Sequence, residues 1–358
     1  MHSSFCFSQS QLKSVNEKNL YFDSLNLIYK QQQIDSLFNY IVKEKQFNGT
    51  FLIARNNVVF YENVAGYACF QQKTPLHINT SFEIASVSKM FTAVAILMLY
   101  EEGKIALNKD VRDYLPEYPY ANITVHQLLC HRSGLPEYFK FADKYHKNST
   151  FPLTNDRLLS MLKFRNPKCN YMPDKLFEYC NTNYALLASI VERISGVSFS
   201  QFLQEKIFDP LEMKVTFLYR FSSNQPIMYG YKSNKRVYER NYLSGVIGDK
   251  GIFSSVHDLY VFNKALFSET IIKKETLSLA ISPHHSELSV CNNYGYGFRL
   301  SCDKNENQLI YHGGLWNGNH SLFIYRPIDN IFIVFLSNVY NNSFIWRSSD
   351  ILRIMDEL

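Results

Sequence analysis

The chain has none of the devices that would fix its class at a glance. Its seven cysteines (Cys6, Cys69, Cys130, Cys169, Cys180, Cys291, Cys302) are odd in number, scattered, and never spaced C-x-x-C. That excludes a disulfide framework and a cysteine zinc site as organising devices, and leaves room for one incidental disulfide. Cys130 and Cys180 lie in packed contexts and read as buried thiols. No apolar run is long enough to span a bilayer. No basic block is present: 37 Lys and Arg against 32 Asp and Glu give a net charge of only +5 over 358 residues, which does not argue for nucleic acid or a membrane surface. His284-His285 has no matching acidic or histidine spacing, so no metal is expected. No repeat, low-complexity tract or cofactor motif appears.

The chain start is equally spare. Met1-His2-Ser3-Ser4-Phe5-Cys6-Phe7-Ser8 lacks a basic lead, and its apolar centre is too short for a signal peptide. Ser8-Gln9-Ser10 resembles the polar stretch that follows a cleavage site, so a trimmed remnant and a periplasmic or exported setting are the expectation. The final Asp356-Glu357-Leu358 lacks the basic lead of an ER-retention tail and reads as the end of a helix.

What is present is a chain able to bury a full core, with 46% apolar residues and an unusual load of 25 Tyr and 28 Phe. Residues 1–22 read as a loose lead-in, and 25–45 carries apolar residues at helical spacing. Two alternating stretches, 50–54 and 58–62, are joined at Arg55-Asn56-Asn57 and read as a hairpin. The middle is helical in pattern, with 125–130 capped by Thr124, then 158–162, 184–194 and 199–207. Further strands are expected at 296–300, 309–311, 322–326 and 331–336, before a last helix at 344–355. Joining the two ends gives an α/β (α+β) fold: an antiparallel sheet flanked by terminal helices, plus a mostly helical lobe. The expected boundaries are a sheet lobe at 23–106 and 246–358 and a helical lobe at 107–245, forming one domain over 23–358.

One stretch organises the rest. Phe82-Glu83-Ile84-Ala85-Ser86-Val87-Ser88-Lys89 opens a helix, expected over 86–102, whose following residues are apolar or small almost throughout. A helix hydrophobic all round is a buried one. Residues three apart share a helix face, so the Lys89 amine can sit beside the Ser86 hydroxyl. Two readings are open: a capped buried helix with a solvated lysine, or an activated serine. For the second, burial and the positive end of the helix dipole both favour the neutral amine that a base requires.

Two later loops bear on that choice. Tyr179-Cys180-Asn181 places a phenol and a carboxamide on one face of an extended tripeptide, and the phenol can pass a proton. His312-Gly313-Gly314 follows an apolar strand, where glycines allow close approach to the backbone. Read alone, the first is an ordinary loop and the second a turn after an edge strand.

Taken in order, Ser86-x-x-Lys89, Tyr179-x-Asn181 and His312-Gly313-Gly314 resemble the serine β-lactamase and penicillin-binding-protein superfamily. The branch it most resembles is the class C-type group of esterases, D-stereospecific peptidases and β-lactamase-like hydrolases, in which the third motif is often H-x-G. The resemblance runs from about residue 49 to 338 and includes the phrase His131-Arg132-Ser133-Gly134-Leu135-Pro136. It implies an acyl-enzyme hydrolase of esters or amides (peptides), with small-molecule or short-peptide substrates. Ser86 would be the nucleophile, Lys89 its base and Tyr179 the second proton-transfer group. Asn181 would orient substrate and lysine, and His312 would stand where the family has lysine. The oxyanion would lie between the N–H groups of Ser86 and Leu315, beside Gly313 and Gly314, with Trp316 either lining the acyl pocket or packing under the strands. Cys180 stands where Ser or Ala is commoner and should point away from the cleft. His131 is read as structural and Asp249 as a backbone-holding turn residue. Two alternatives stay open: a D-alanyl-D-alanine carboxypeptidase or β-lactamase, disfavoured by the uncharged His312, and an inactive member that binds a peptide or acts as a scaffold.

Overall fold

The computed structural model describes residues 9–147, 151–219, 227–340 and 347–356, with side chains from residue 26 onward. The expectations for the first eight residues, the last two and the start of the final helix lie outside the described residues. By its contacts the chain forms two compact units, Met1–Gln46 with Ser343–Leu358, and Phe47–Asn342.

The first unit holds α1 (Gln9–Lys45) and the last helix (Ser348–Asp356). Helix α1 starts at Gln9, so the part of the expected loose lead-in from residue 9 onward is helical. The two helices are joined where Lys30 Nζ, itself buried, donates to the carbonyls of Ile354 (2.5 Å) and Met355 (3.4 Å). A cation there meets the negative end of the helix dipole.

The second unit runs β1 (Gly49–Arg55), β2 (Val58–Ala65), β3 (Tyr67–Cys69), β4 (Thr74–Pro75), β5 (Phe82–Glu83) and α2 (Ser88–Glu101). The helices α3 (Val125–Leu129), α4 (Tyr138–His146), α5 (Asn155–Arg165), α6 (Asn181–Ser195) and α7 (Phe199–Leu203) follow. Then come β6 (Phe217–Leu218), β7 (Ile252–Ser254), α8 (Val256–Phe267) and α9 (Lys274–Ala280). The strands β8 (Asn292–Tyr294), β9 (Arg299–Cys302), β10 (Gln308–Trp316), β11 (Asn319–Arg326) and β12 (Ile331–Ser337) complete it.

The main sheet is antiparallel throughout, in the order β2-β1-β12-β11-β10-β9-β8. The expected union of chain ends is there: Leu52 lies opposite Val334 and Gly49 opposite Ser337. The β1–β2 turn is Asn56-Asn57, both at positive φ (50° and 60°), as a two-residue hairpin turn requires. Cys291 and Cys302 form a disulfide that closes the edge hairpin β8–β9. Among the described residues no helix is long and apolar enough to cross a membrane.

Helix α2 is buried on every side; only Met98, Tyr100 and Glu101 of its fourteen residues escape full burial. Its neighbours include α6, α7 and the turn before β7. That turn is pinned along it: Thr92 Oγ1 donates to Gly248 O (2.7 Å), and Ile252 N–H donates to Ser88 Oγ (3.2 Å). Gly248 has φ +97°, and a Cβ there would stand 2.5 Å from Tyr184 O. Only glycine fits. A small sheet, β5-β7-β6, pairs Phe82 with Ser254 and so fixes the strand that delivers Ser86.

Candidate active site

Ser86 does not sit in the first turn of α2. A tight 3-10 turn, Ala85–Val87, precedes the helix, and Ala85 has φ +47°. That left-handed conformation is costly for a residue with a Cβ, and it turns the chain sharply where β5 gives way to helix. The turn is gripped from the sheet side. Ser321 Oγ donates to Ile84 O (2.6 Å), and Gly314 of β10 lies so near that an added Cβ would meet Ile84 O at 2.3 Å and Ser86 N at 3.0 Å.

Lys89 is fully buried, one helical turn behind. Its Nζ is 3.2 Å from Ser86 Oγ and donates to Asn181 Oδ1 (2.8 Å) and to the backbone carbonyl of Asp249 (2.8 Å). It also lies 4.9 Å from the centre of the Tyr179 ring. The structure thus brings Ser86, Lys89, Tyr179 and Asn181 together. Asn181 opens α6, with Cys180 as N-cap, three residues earlier than the helix expected from residue 184. Cys180 is buried, with Sγ against Leu135 O (3.4 Å), and burial pushes its thiol up to about 12. It points away from the cleft as expected.

The third motif differs from expectation. His312-Gly313-Gly314 is not a strand end or turn; β10 continues to Trp316, with His312 opposite Phe323 and Gly314 opposite Ser321. On its other edge β10 pairs with β9 only from Gln308 to Tyr311. His312 is buried and uncharged in character. Burial, then the nearby Arg299 and Lys89, hold its imidazolium well below the usual histidine range. Nδ1 lies 2.7 Å from Gly313 O and Nε2 3.2 Å from Tyr294 Oη. The consistent proton assignment has Nδ1–H donating and Nε2 accepting from the phenol. Both nitrogens are occupied, so no N–H remains for a substrate carboxylate.

A cation is nevertheless present. Arg299, on β9 opposite both Tyr294 and Tyr311, places its guanidinium 4.9 Å from the Tyr179 ring centre and 5.7 Å from that of Tyr294. Among the described residues it makes no salt bridge. The sequence reading missed it, because an isolated arginine in an expected strand carries no signal of its own. Lys250 was missed too. It is buried, donates to Tyr138 Oη and lies 3.3 Å from the Asp249 carboxylate, and burial lowers its pKa.

Trp316 stacks on Phe139 (5.4 Å between centres) and lies over Lys250. With Ser86, Asn181 and Leu315 these side chains line a cavity of about 50 Å³. A larger cleft of about 690 Å³ beside α4 and α5 contains none of these groups. His131 is buried with its ring 4.4 Å from that of Tyr179, and its Nδ1 accepts the Cys180 N–H (3.2 Å). Burial keeps it well below the usual histidine range, in line with a structural part. His284 and His285 join no group of three metal-ligating residues, and none exists among the described residues.

A family model described as Beta-lactamase matches residues 34–348. Penicillin-binding protein 4* of Bacillus subtilis is 32% identical over 326 residues, covering 86% of this chain and 72% of that protein. The crystal structure of a penicillin binding protein from Bacillus halodurans superposes with TM-score 0.76 at 25% identity, over 89% of this chain and 98% of the other. That of D-amino acid amidase from Ochrobactrum anthropi SV3 gives 0.77 over 92% and 99%; at 23% identity the likeness is one of fold.

Proposed function

The chain belongs to the beta-lactamase family of serine hydrolases, and on that premise we propose that it cleaves an ester or amide (peptide) bond through an acyl-enzyme on Ser86. One observation carries this reading: the set of contacts around Lys89 Nζ. A neutral amine has two N–H bonds and one lone pair. Asn181 Oδ1 and Asp249 O, each at 2.8 Å, take the two N–H bonds, and the remaining direction faces Ser86 Oγ at 3.2 Å. In the neutral amine that this mechanism requires, the lone pair then points at the hydroxyl proton, which is what activates a serine.

In this mechanism Lys89 accepts the Ser86 proton as Oγ bonds to the substrate carbonyl carbon. The oxyanion is stabilised by the backbone N–H groups of Ser86 and Leu315. Tyr179, whose ring centre is 4.9 Å from both Lys89 Nζ and the Arg299 guanidinium, relays the proton to the departing oxygen or nitrogen as the carbonyl re-forms. Water then attacks the ester carbonyl, its proton returns through the same groups, and Ser86 is released. Ser86→Ala is expected to abolish hydrolysis of p-nitrophenyl esters and labelling by a fluorophosphonate. Full labelling of that variant would sink the assignment.

Arg299 favours a second, narrower reading. The reservation about D-alanyl-D-alanine peptides and β-lactams rested on His312 lacking a charge. A guanidinium that makes no salt bridge among the described residues, placed near the Tyr179 ring, supplies the cation that a substrate carboxylate needs. A relative named as a penicillin-binding protein supports the same direction. Comparing nitrocefin, a D-alanyl-D-alanine peptide and a neutral ester decides between the readings.

A further inference from the structure

The two acceptors that orient Lys89 are each held by one of two consecutive residues, Glu137 and Tyr138. They follow the Ser133-Gly134-Leu135-Pro136 turn and form the cap and first residue of α4. Glu137 Oε2 accepts from both the backbone N–H and the side-chain Nδ2 of Asn181, each at 2.9 Å. Tyr138 Oη donates to the Asp249 carboxylate (3.0 Å) and accepts from the Lys250 ammonium. An amide side chain can present either its oxygen or its nitrogen to a neighbour. With Nδ2 committed to a carboxylate, Asn181 must present Oδ1 to Lys89.

We propose that Glu137 is a positioning residue for catalysis: it locks the Asn181 amide so that its oxygen faces Lys89, while Tyr138 holds the side chain of Asp249, the residue whose backbone carbonyl is the second acceptor. The proposal rests on the acyl-enzyme reading. Without the lock, Asn181 can rotate and offer Nδ2, a donor, towards the amine. Lys89 then loses one of its two N–H anchors, and its lone pair is no longer fixed on Ser86. The other Glu137 oxygen, Oε1, is buried and has no hydrogen-bond partner among the described residues. Burial chiefly raises the Glu137 pKa, and the Asp249 charge adds to it, while the Asn181 contacts and Lys89 oppose. A carboxylate kept in such surroundings, with half its acceptor capacity unused, is costly as structure alone.

Replacing Glu137 by glutamine keeps an acceptor for Asn181, whereas alanine removes it, so the pair of variants isolates the hydrogen-bonding part.

The test measures p-nitrophenyl acetate hydrolysis by Glu137→Ala and Glu137→Gln across pH, with fluorophosphonate labelling rates and melting curves. We expect Glu137→Ala to lose about tenfold or more in kcat and in labelling rate, with KM within about twofold. Glu137→Gln should recover much of that loss, since it still offers an acceptor to Asn181. Wild-type kcat in Glu137→Ala overturns the proposal. So does a Glu137→Gln enzyme no faster than Glu137→Ala; if Glu137→Ala does not fold, wild-type kcat in Glu137→Met, which fills the same space without an acceptor, overturns the proposal instead. Ser86→Ala is the control for the underlying reading. Its continued labelling would overturn that reading, whereas an inert Ser86→Ala beside an unaffected Glu137→Ala would overturn only the present one.

Discussion

Gly313 and Gly314 are adjacent, yet the structure predicts opposite consequences for adding one methyl group to each. At Gly314 the new Cβ would stand 2.3 Å from Ile84 O, 2.4 Å from Ser321 Oγ and 3.0 Å from Ser86 N. An ordinary contact needs about 3.4 Å, so the closest pair must separate by roughly 1 Å. Ile84 cannot yield freely, since its N–H donates to Ile252 O (2.9 Å) and its carbonyl accepts from Ser321 Oγ (2.6 Å). Either the Ser86 turn or β10 must shift. Overpacking of this kind costs about 1–3 kcal/mol, and a misplacement of about 1 Å at a reacting group costs about 100-fold in rate. At Gly313 the nearest atom to a Cβ is Ser321 O at 3.8 Å, an ordinary contact. We therefore expect Gly314→Ala to lose about two orders of magnitude in kcat/KM for p-nitrophenyl acetate and to melt several degrees lower. Gly313→Ala should melt within about a degree of wild type, with a much smaller kinetic loss. Equal behaviour of the two variants, or a Gly314→Ala enzyme of normal rate and stability, would refute the packing argument around Ser86.

Three further outcomes follow from other parts of the molecule. Arg299→Ala should reduce kcat/KM for a D-alanyl-D-alanine peptide by about tenfold or more while changing a neutral ester by about threefold at most; equal losses on both would remove the arginine from carboxylate recognition. His131, His285 and His312 are all held below the usual histidine range by burial, His285 at about 4. The unfolded chain binds protons more readily than the fold between their two pKa values. Stability present above pH about 6.5 should therefore be lost as pH falls towards 4, and melting temperatures measured from pH 7.5 to 4.5 should decline along that window; a flat profile would contradict it. Reducing the Cys291–Cys302 disulfide, which closes an 11-residue separation, should cost up to about 3 kcal/mol by chain entropy. Melting with and without a phosphine reductant checks this, with Cys302→Ser expected to melt like the reduced protein and to be insensitive to reductant.

How far the chain could be read in advance depended on how local each determinant is. The apolar run behind Lys89, the alternation at 50–54 and 58–62 and the strand patterns after residue 309 are local, and they gave the buried helix and the antiparallel sheet. Ser86-x-x-Lys89 and Tyr179-x-Asn181 became informative only in their order. The 3-10 turn at Ser86 was invisible because Ala85, not glycine, adopts the left-handed conformation, held there by Ser321 and Gly314 more than 200 residues away. The continuation of β10 through two glycines is a tertiary effect of pairing with β11, against the weak strand tendency of glycine. Arg299 and Glu137 act on partners over 100 and 44 residues distant, Tyr179 and Asn181, and no periodicity announces such contacts.

The central claim is that Ser86, aligned by Lys89, carries the acyl group. Ser88 lies two residues on, with its hydroxyl accepting the Ile252 N–H, and provides an internal control. The direct measurement is tandem mass spectrometry of the peptide that spans residues 82–89 after reaction with a fluorophosphonate or a slowly hydrolysed ester. The adduct is expected on Ser86, formed at a rate that collapses in Lys89→Met. An adduct on Ser88 or elsewhere, or an undiminished rate in Lys89→Met, would contradict the account.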